Sequence, residues 1–215
     1  MIISGEHSVV YGHPALVMAI DKRVYASFKA RRDPSQESID VKISSEEENK
    51  AESVTEILST EVNKDSQIND EMKVEQKLLN HIYKDLAKSI GEGNRCGGSI
   101  EILTVTELPI GAGLGSSAAW GASLSASIFH SIYFILHGEQ FKDQGAEKEH
   151  VWSYTNVSEK YFHGKPSGCD VASTIHGDII YFKKGTPPEF NEIKPLPRCK
   201  VDNLDMILVQ TNVKK

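Results

Sequence analysis

The sequence predicts a mixed fold of β-strands and α-helices, with strands concentrated near the amino terminus. Three observations support this class. Apolar residues alternate with a period of two in residues 24–28 and 39–43, which is typical of half-buried strands. They recur every four residues within 71–90, which is typical of an amphipathic helix. A glycine- and serine-rich loop at 111–117 then joins a strand to a long helix.

The first half of the chain contains mostly strands. Residues 1–31 predict strands joined by a polar turn, and 39–43 predict a further strand. Residues 44–70 are polar and acidic, so we interpret them as a solvated insertion with one helix around 54–58. A helix over 71–90 is expected to stop at Gly91.

Helices dominate the second half. A strand at 100–108 ends at Pro109 and leads through the glycine-serine loop into helix 117–136, which ends at His137 and Gly138. Further helices are expected at 147–162, stopping at Gly164, and near Pro166, followed by a strand at 178–182. Prolines at 187, 188, 195 and 197 indicate a linker, and 206–209 begins another strand. We therefore expect one domain over 1–198, with the linker and first strand of a second domain over 199–215.

The composition excludes several classes of function. A net charge of −6, from 24 basic and 30 acidic residues, argues against a general nucleic-acid surface. Residues 111–138 contain no charged side chain and could span a bilayer by length, but their serines and glycines favour a buried helix. The three cysteines are scattered and form no metal-binding or disulfide pattern, which indicates a reducing, intracellular compartment.

The loop from Gly111 to Ser117 is the most informative feature. Its glycines allow positive φ and close approach to an anion, while the following helix adds positive potential at its amino terminus. Ser116 and Ser117 are expected to cap this helix, with one hydroxyl able to reach a phosphate or Mg²⁺. The P-loop pattern is excluded because the loop has no lysine. The GxGxxG pattern is excluded because Ser116 occupies the position of its last glycine. A flexible loop without a ligand is the alternative.

Three acidic or basic sites are candidates for chemistry. Asp170 lies in the first turn of a helix beginning near Pro166, where it could orient or deprotonate a hydroxyl or act only as a helix-start residue. Glu159 lies near the end of the preceding helix, where the helix dipole disfavours a carboxylate. A buried role, metal binding or simple solvent exposure would each explain a glutamate at this position. Glu6 and His7 follow the first strand and could hold a polar substrate or form a surface turn.

Three of these segments together resemble the GHMP kinases, most of all those that phosphorylate mevalonate. The segments are Gly5-Glu6-His7-Ser8 within 5–16, the loop within 108–119, and His163-Gly164-Lys165-Pro166-Ser167-Gly168-Cys169-Asp170. They occur in the family's order across nearly the whole chain.

The resemblance implies an α+β fold of the ribosomal protein S5 domain 2-like type, with a mostly antiparallel sheet packed with helices. By the same resemblance Asp170 is the catalytic carboxylate, and Ser117 and Glu159 bind Mg²⁺. Glu6 and His7 lie near the substrate. The ATP phosphates bind at Gly111, Ala112, Gly113, Leu114, Gly115, Ser116 and Ser117.

The implied reaction converts ATP and mevalonate to ADP and 5-phosphomevalonate, in isoprenoid and sterol precursor synthesis. A cytoplasmic protein is expected, with no nucleic-acid or membrane partner, and homodimers are common in the family. The family's lysine before the first strand would precede Met1, and its second domain would follow residue 215. We therefore expect an amino-terminal portion that is truncated at both ends. A catalytically incomplete fragment, a non-catalytic binding module, or a kinase for another small alcohol are the alternatives.

Overall fold

The computed structural model describes residues 1–47, 55–89, 96–109, 111–185 and 191–196. Two four-stranded sheets are present in this part of the chain. The first has the order β1-β2-β7-β8 and is antiparallel throughout. Its strands are β1 (Ile2–Ser4), β2 (Pro14–Met18), β7 (Ile179–Lys183) and β8 (Glu192–Pro195). A short 3₁₀ helix, Ser8–Tyr11, connects β1 to β2.

The second sheet has the order β3-β6-β4-β5. Its strands are β3 (Val24–Asp33), β4 (Ile39–Glu47), β5 (Thr55–Val62) and β6 (Gly97–Thr106). Only the β4–β6 pair of this sheet is parallel. The two sheets and the helices below therefore confirm the predicted α+β class with mostly antiparallel pairing.

Four helices complete the described structure, and the longest forms its centre. They are α1 (Val74–Ala87), α2 (Ser116–His137), α3 (Gln144–His163) and α4 (Cys169–His176). Helix α2 packs against β3 and β6 of the second sheet and against the other three helices. Although α2 is apolar and long enough to cross a bilayer, 61% of its most apolar 18-residue stretch is buried within the domain. The interpretation of α2 as a buried helix is thus confirmed.

The interpretation of residues 44–70 as a solvated insertion with a helix around 54–58 is wrong for residues 44–47 and 55–62, which belong to strands β4 and β5, whereas 63–70 are mostly exposed. Residues 55–62 form strand β5, which pairs with β4 in antiparallel register. The pairing sets Leu58 beside Ile43 and Val62 beside Ile39, and all four side chains are buried. Non-local pairing with β4 therefore overrides the acidic local composition.

Two further boundaries differ from the sequence expectation. Helix α4 begins at Cys169 with Gly168 as its N-cap at φ 89°, so Pro166 lies outside the helix. The expected linker contains strand β8, which pairs with β7. The expected helix stop at Gly91, the strand at 206–209 and three of the linker prolines lie outside the described residues. By contrast, α2 and α3 end at Gly138 and Gly164 as predicted.

Helices α2 and α3 meet where α2 has a glycine. A Cβ placed on Gly121 would lie 2.3 Å from Oγ of Ser158, so only glycine fits in this arrangement. The Ser158 hydroxyl donates a hydrogen bond to the carbonyl of Thr155 at 2.9 Å, which holds the hydroxyl in place. This contact brings the amino-terminal half of α2 close to the carboxyl-terminal half of α3.

We expect Gly121→Ala to destabilise the domain. Overpacking at such a contact costs about 1–3 kcal/mol, which exceeds the gain of about 1 kcal/mol from replacing a helical glycine. In a Ser158→Ala background the clashing hydroxyl is gone, so the same substitution should be neutral or stabilising. Urea unfolding of the four proteins in this cycle measures the difference. An equal penalty in both backgrounds would show that the Gly121–Ser158 contact does not limit the packing.

Candidate active site

The loop before α2 adopts the backbone conformation that its glycines predict. Gly111, Gly113 and Gly115 have φ of 76°, 74° and 75°, in the left-handed region. Gly115 is the N-cap of α2, and its carbonyl accepts a hydrogen bond from the N–H of Ala119. The prediction that Ser116 and Ser117 cap the helix is wrong, because no side chain caps this end and both serines lie inside the first turn.

A cleft of about 740 Å³ lies over this loop. It draws its lining from several distant parts of the sequence. The residues that line it are Ile2, Glu6, Ser45, Glu75, Thr106, Gly111, Ala112, Gly113, Gly115, Ser116, Ser117, Trp120, Phe162, His163 and Asp170. The fold therefore brings most of the sequence-predicted site residues to one cavity.

Glu159 lies beneath the wall of this cleft. Its side chain is only 4% exposed, and its Oε1 has no hydrogen-bond partner in the described structure. Burial raises the pKa of Glu159, whereas hydrogen bonding with the Ser117 hydroxyl and the nearby His163 lower it. An unpaired buried carboxylate oxygen is costly, and an ordered water or a bound cation would supply its partner.

Ser117, Glu159 and His163 form a compact polar group at one side of the cleft. Nε2 of His163 lies 3.3 Å from Oγ of Ser117 and 3.8 Å from Oε2 of Glu159. Ser117 belongs to the first turn of α2, and the other two residues lie one turn apart near the end of α3. The α2–α3 packing therefore determines this geometry.

Asp170 lies in the first turn of α4 and faces the glycine loop. A Cβ placed on Gly115 would be 3.3 Å from Oδ1 of Asp170, so the carboxylate lies directly against the loop backbone. Burial raises the pKa of Asp170 above its ordinary value. The Met1 amino group and His163 counteract this, and Glu6 adds to it by charge repulsion. The opposing influences show that Glu6, His163 and Asp170 share one electrostatic environment.

Not every sequence-predicted site residue lines the cleft. His7 is exposed and does not contribute to the wall. Leu114 is buried and contributes to a separate cavity of about 880 Å³ on the other side of the loop. Glu159 is near the cleft but lies behind Ser117 and His163.

Sequence reasoning assigned no role to three lining residues. His163 contacts Ser117, and the rings of Trp120 and Phe162 meet edge to face at a centroid distance of 5.7 Å. One sequence signal could have identified His163, because it follows Glu159 by four residues and such pairs lie on one helical face. No comparable signal distinguishes Trp120 or Phe162 from ordinary core residues.

The polar group fits a magnesium ion. Mg²⁺ prefers oxygen ligands and is usually bound through one or two carboxylates together with phosphate oxygens and water. The Ser117 hydroxyl and the unpaired Glu159 oxygen could supply such ligands next to the glycine loop. Within the described ranges, no group of three or more His, Cys, Asp or Glu side chains is placed to hold a metal ion.

Comparison with known proteins identifies the class of this domain. Residues 77–178 match the family model described as the GHMP kinases N terminal domain. This range contains the glycine loop, Ser117, Glu159 and Asp170. Residues 77–178 therefore match the amino-terminal domain of the GHMP kinases, in agreement with the family that the motifs resemble.

Within this family, curated relatives of the chain are mevalonate kinases. The Candida albicans mevalonate kinase is 29% identical over 241 aligned positions, covering 100% of this chain and 55% of that enzyme. The chain thus spans about half the length of the curated relatives it matches.

Solved structures show the same fold. The Methanococcus jannaschii mevalonate kinase has a TM-score of 0.57 at 21% identity, covering 91% of this chain and 53% of that one. A Lactococcus lactis galactokinase, solved with galactose, has a TM-score of 0.55 at 16% identity and covers 98% and 50% of the two chains. The fold is therefore shared by kinases that act on different alcohols.

We expect Gly115→Ala to destabilise the domain more than Gly113→Ala. Both glycines have nearly the same positive φ, so each alanine carries a similar backbone penalty of about 1–2 kcal/mol. The space around Gly113 is open, whereas the new Cβ at position 115 meets Asp170. Overpacking there should add about 1 kcal/mol, measured by denaturant unfolding.

The Asp170→Ala background provides the control, since it removes the carboxylate that the new Cβ meets. In that background, Gly115→Ala and Gly113→Ala should lower the free energy of unfolding by equal amounts. A Gly115→Ala penalty that equals the Gly113→Ala penalty in the wild-type background would contradict the close approach of Asp170 to the loop.

Proposed function

We propose that this chain forms the nucleotide-binding and acceptor-binding part of an ATP-dependent kinase that phosphorylates mevalonate. One observation supports this above all: the glycine loop, Ser117, Glu6 and Asp170 line one cleft, and a buried carboxylate with an unpaired oxygen lies behind it. This combination has the parts that phosphoryl transfer requires, namely an anion-binding backbone, cation ligands and a base.

The loop and the start of α2 bind the phosphates of ATP. The first N–H groups of a helix have no intrahelical acceptor, so those of α2 are available to phosphate oxygens. Ser117 and Glu159 hold Mg²⁺, which neutralises charge on the phosphates when it is bound. The glycines at 111, 113 and 115 keep the loop free of side chains that would block this approach.

Asp170 acts on the acceptor alcohol. Its carboxylate accepts the proton of the substrate hydroxyl as that oxygen forms a bond to the γ-phosphorus. The bond between the γ-phosphorus and the bridging oxygen breaks, and ADP leaves with that electron pair. Because burial raises the pKa of Asp170, this carboxylate is a stronger base than a solvent-exposed one.

The acceptor lies between Asp170 and the turn after β1. Glu6 lines this end of the cleft and supplies a hydrogen-bond acceptor for a substrate hydroxyl. His7 is the N-cap of the neighbouring 3₁₀ helix and is exposed, so it would reach the substrate from the rim. Both assignments follow from the family resemblance and from the position of the turn.

The choice of mevalonate rests on relatives rather than on fold. The curated relatives are mevalonate kinases at modest identity, whereas a galactokinase has nearly the same domain structure. A kinase for another small alcohol and a non-catalytic nucleotide-binding module are therefore the competing functions.

We expect the protein containing this chain to release ADP faster with mevalonate than with phosphomevalonate, galactose or homoserine. A site built for one alcohol discriminates against others because its buried polar groups lose their partners, and the difference can reach about 10⁴. A coupled ADP-release assay across the four substrates measures this. Faster turnover of another alcohol would support a different specificity, and nucleotide binding without any ADP release would support the binding module.

We also expect Asp170→Asn to abolish turnover while leaving nucleotide binding close to that of the wild type. Loss of a general base lowers the rate by about 10²–10⁴, and asparagine preserves the size of the side chain. Nucleotide affinity from calorimetry and turnover from the coupled assay separate these effects. Asp40→Asn, on an exposed part of β4, is the control. Turnover retained in Asp170→Asn would exclude Asp170 as the base.

A further inference from the structure

His163 occupies an unusual position at the end of α3. It is the last residue of the helix, and Gly164 follows as the C-cap with φ 68°. A histidine at a helix end ordinarily faces solvent or the last carbonyls of its own helix. Here the ring instead reaches across to the first turn of α2, where its Nε2 lies 3.3 Å from Oγ of Ser117.

The same nitrogen also faces Glu159. Nε2 is 3.8 Å from Oε2 of that carboxylate, which lies one helical turn earlier. If Nε2 carried a lone pair, that lone pair would face a carboxylate oxygen, which is unfavourable. The Nε2–H tautomer is therefore the one that fits, because it directs a donor towards both oxygens.

This donor determines how the Ser117 hydroxyl is used. A serine hydroxyl has one hydrogen to donate and two lone pairs to offer. One lone pair of the Ser117 oxygen accepts the N–H of His163, and Ser117 donates its own hydrogen to the Glu159 carboxylate. Ser117 therefore retains one free lone pair. Glu159 retains Oε1, which has no partner in the described structure. Two oxygen positions thus remain open on neighbouring side chains.

We propose that His163 is a positioning residue that orients Ser117 and Glu159 so that both present an open oxygen to a divalent cation. This inference rests on the proposed function, because it assumes that the cation arrives with a nucleotide at the glycine loop. His163 is not itself a ligand for Mg²⁺, since that ion prefers oxygen to imidazole nitrogen. Side chains behind a metal site commonly hold its ligands in this way.

Exposure and charge agree with this role. The His163 side chain is 55% exposed, so its contribution to the core is small. Its charge lowers the pKa of both Glu159 and Asp170, which shows that it lies close to both carboxylates. A residue kept only for packing would not need to face three polar groups, two of which lie on other helices.

The test compares metal-dependent nucleotide binding in four forms of the protein that contains this chain. These are the wild type, His163→Leu, His163→Gln and His137→Leu. Glutamine places an N–H donor at a reach similar to that of Nε2, whereas leucine has none. His137 is the last residue of α2 and stacks on Tyr133, so His137→Leu removes an imidazole from an equivalent helix end outside the cleft.

Calorimetry gives the dissociation constant of the non-hydrolysable ATP analogue AMP-PNP with excess Mg²⁺ and with EDTA. We expect Mg²⁺ to tighten binding to the wild type, and His163→Leu to reduce that gain by about tenfold or more. Affinity in EDTA should be unchanged in His163→Leu. His163→Gln should recover most of the gain, and His137→Leu should behave as the wild type.

Each contrary result has a distinct meaning. A full Mg²⁺ gain in His163→Leu, an equal loss of affinity in EDTA, or failure of His163→Gln to recover the gain would overturn the positioning role. A wild type that binds AMP-PNP with no Mg²⁺ gain would instead overturn the metal site of the proposed function. A wild type that binds no nucleotide at all would overturn the proposed function itself.

Discussion

The close approach of α2 and α3 is the constraint on which the site depends. Gly121 permits it, because any side chain there would strike the Ser158 hydroxyl. Ser117 lies one turn before Gly121, and Glu159 directly follows Ser158. Two rigid helices in contact at this point therefore hold a hydroxyl and a carboxylate together without help from any loop. A wider separation of the helices would leave the serine and the glutamate on unrelated surfaces.

This packing has an energetic cost at Glu159. A carboxylate removed from water loses solvation, and in this chain burial raises its pKa while one oxygen stays without a partner. A hydrophobic residue would be more stable at this depth if the position served only the fold. The unpaired oxygen is therefore better explained by a ligand than by stability, which agrees with the tendency of functional sites to retain locally unfavourable groups.

Much of this arrangement could be predicted from the sequence, and the exceptions have physical causes. Helix α2 and the loop before it were found because glycines and long apolar periodicity are local signals. Strand β5 was missed because its burial depends on pairing with β4, which no local pattern in an acidic segment reveals. The sequence leaves Glu159 open between burial and exposure, since the answer depends on how closely α2 approaches. The four-residue spacing of Glu159 and His163 is a local signal, but the contact of His163 with Ser117, 46 residues earlier in the chain, is not.

The charge balance of the cleft explains why a cation should be required. Glu6, Glu159 and Asp170 lie close enough for their charges to affect one another through Asp170. A nucleoside triphosphate would add several more negative charges to this region, and the attraction of a helix amino terminus, equivalent to about half an elementary charge, cannot balance them. A divalent cation held by Ser117 and Glu159 would offset this repulsion. Burial is the main cause of the raised pKa values of Glu159 and Asp170, and repulsion from a neighbouring carboxylate adds to it in each case. In the proposed function the two carboxylates have different partners: Asp170 lies against the glycine loop and acts on the alcohol, whereas Glu159 is hydrogen-bonded with Ser117 and would hold the cation.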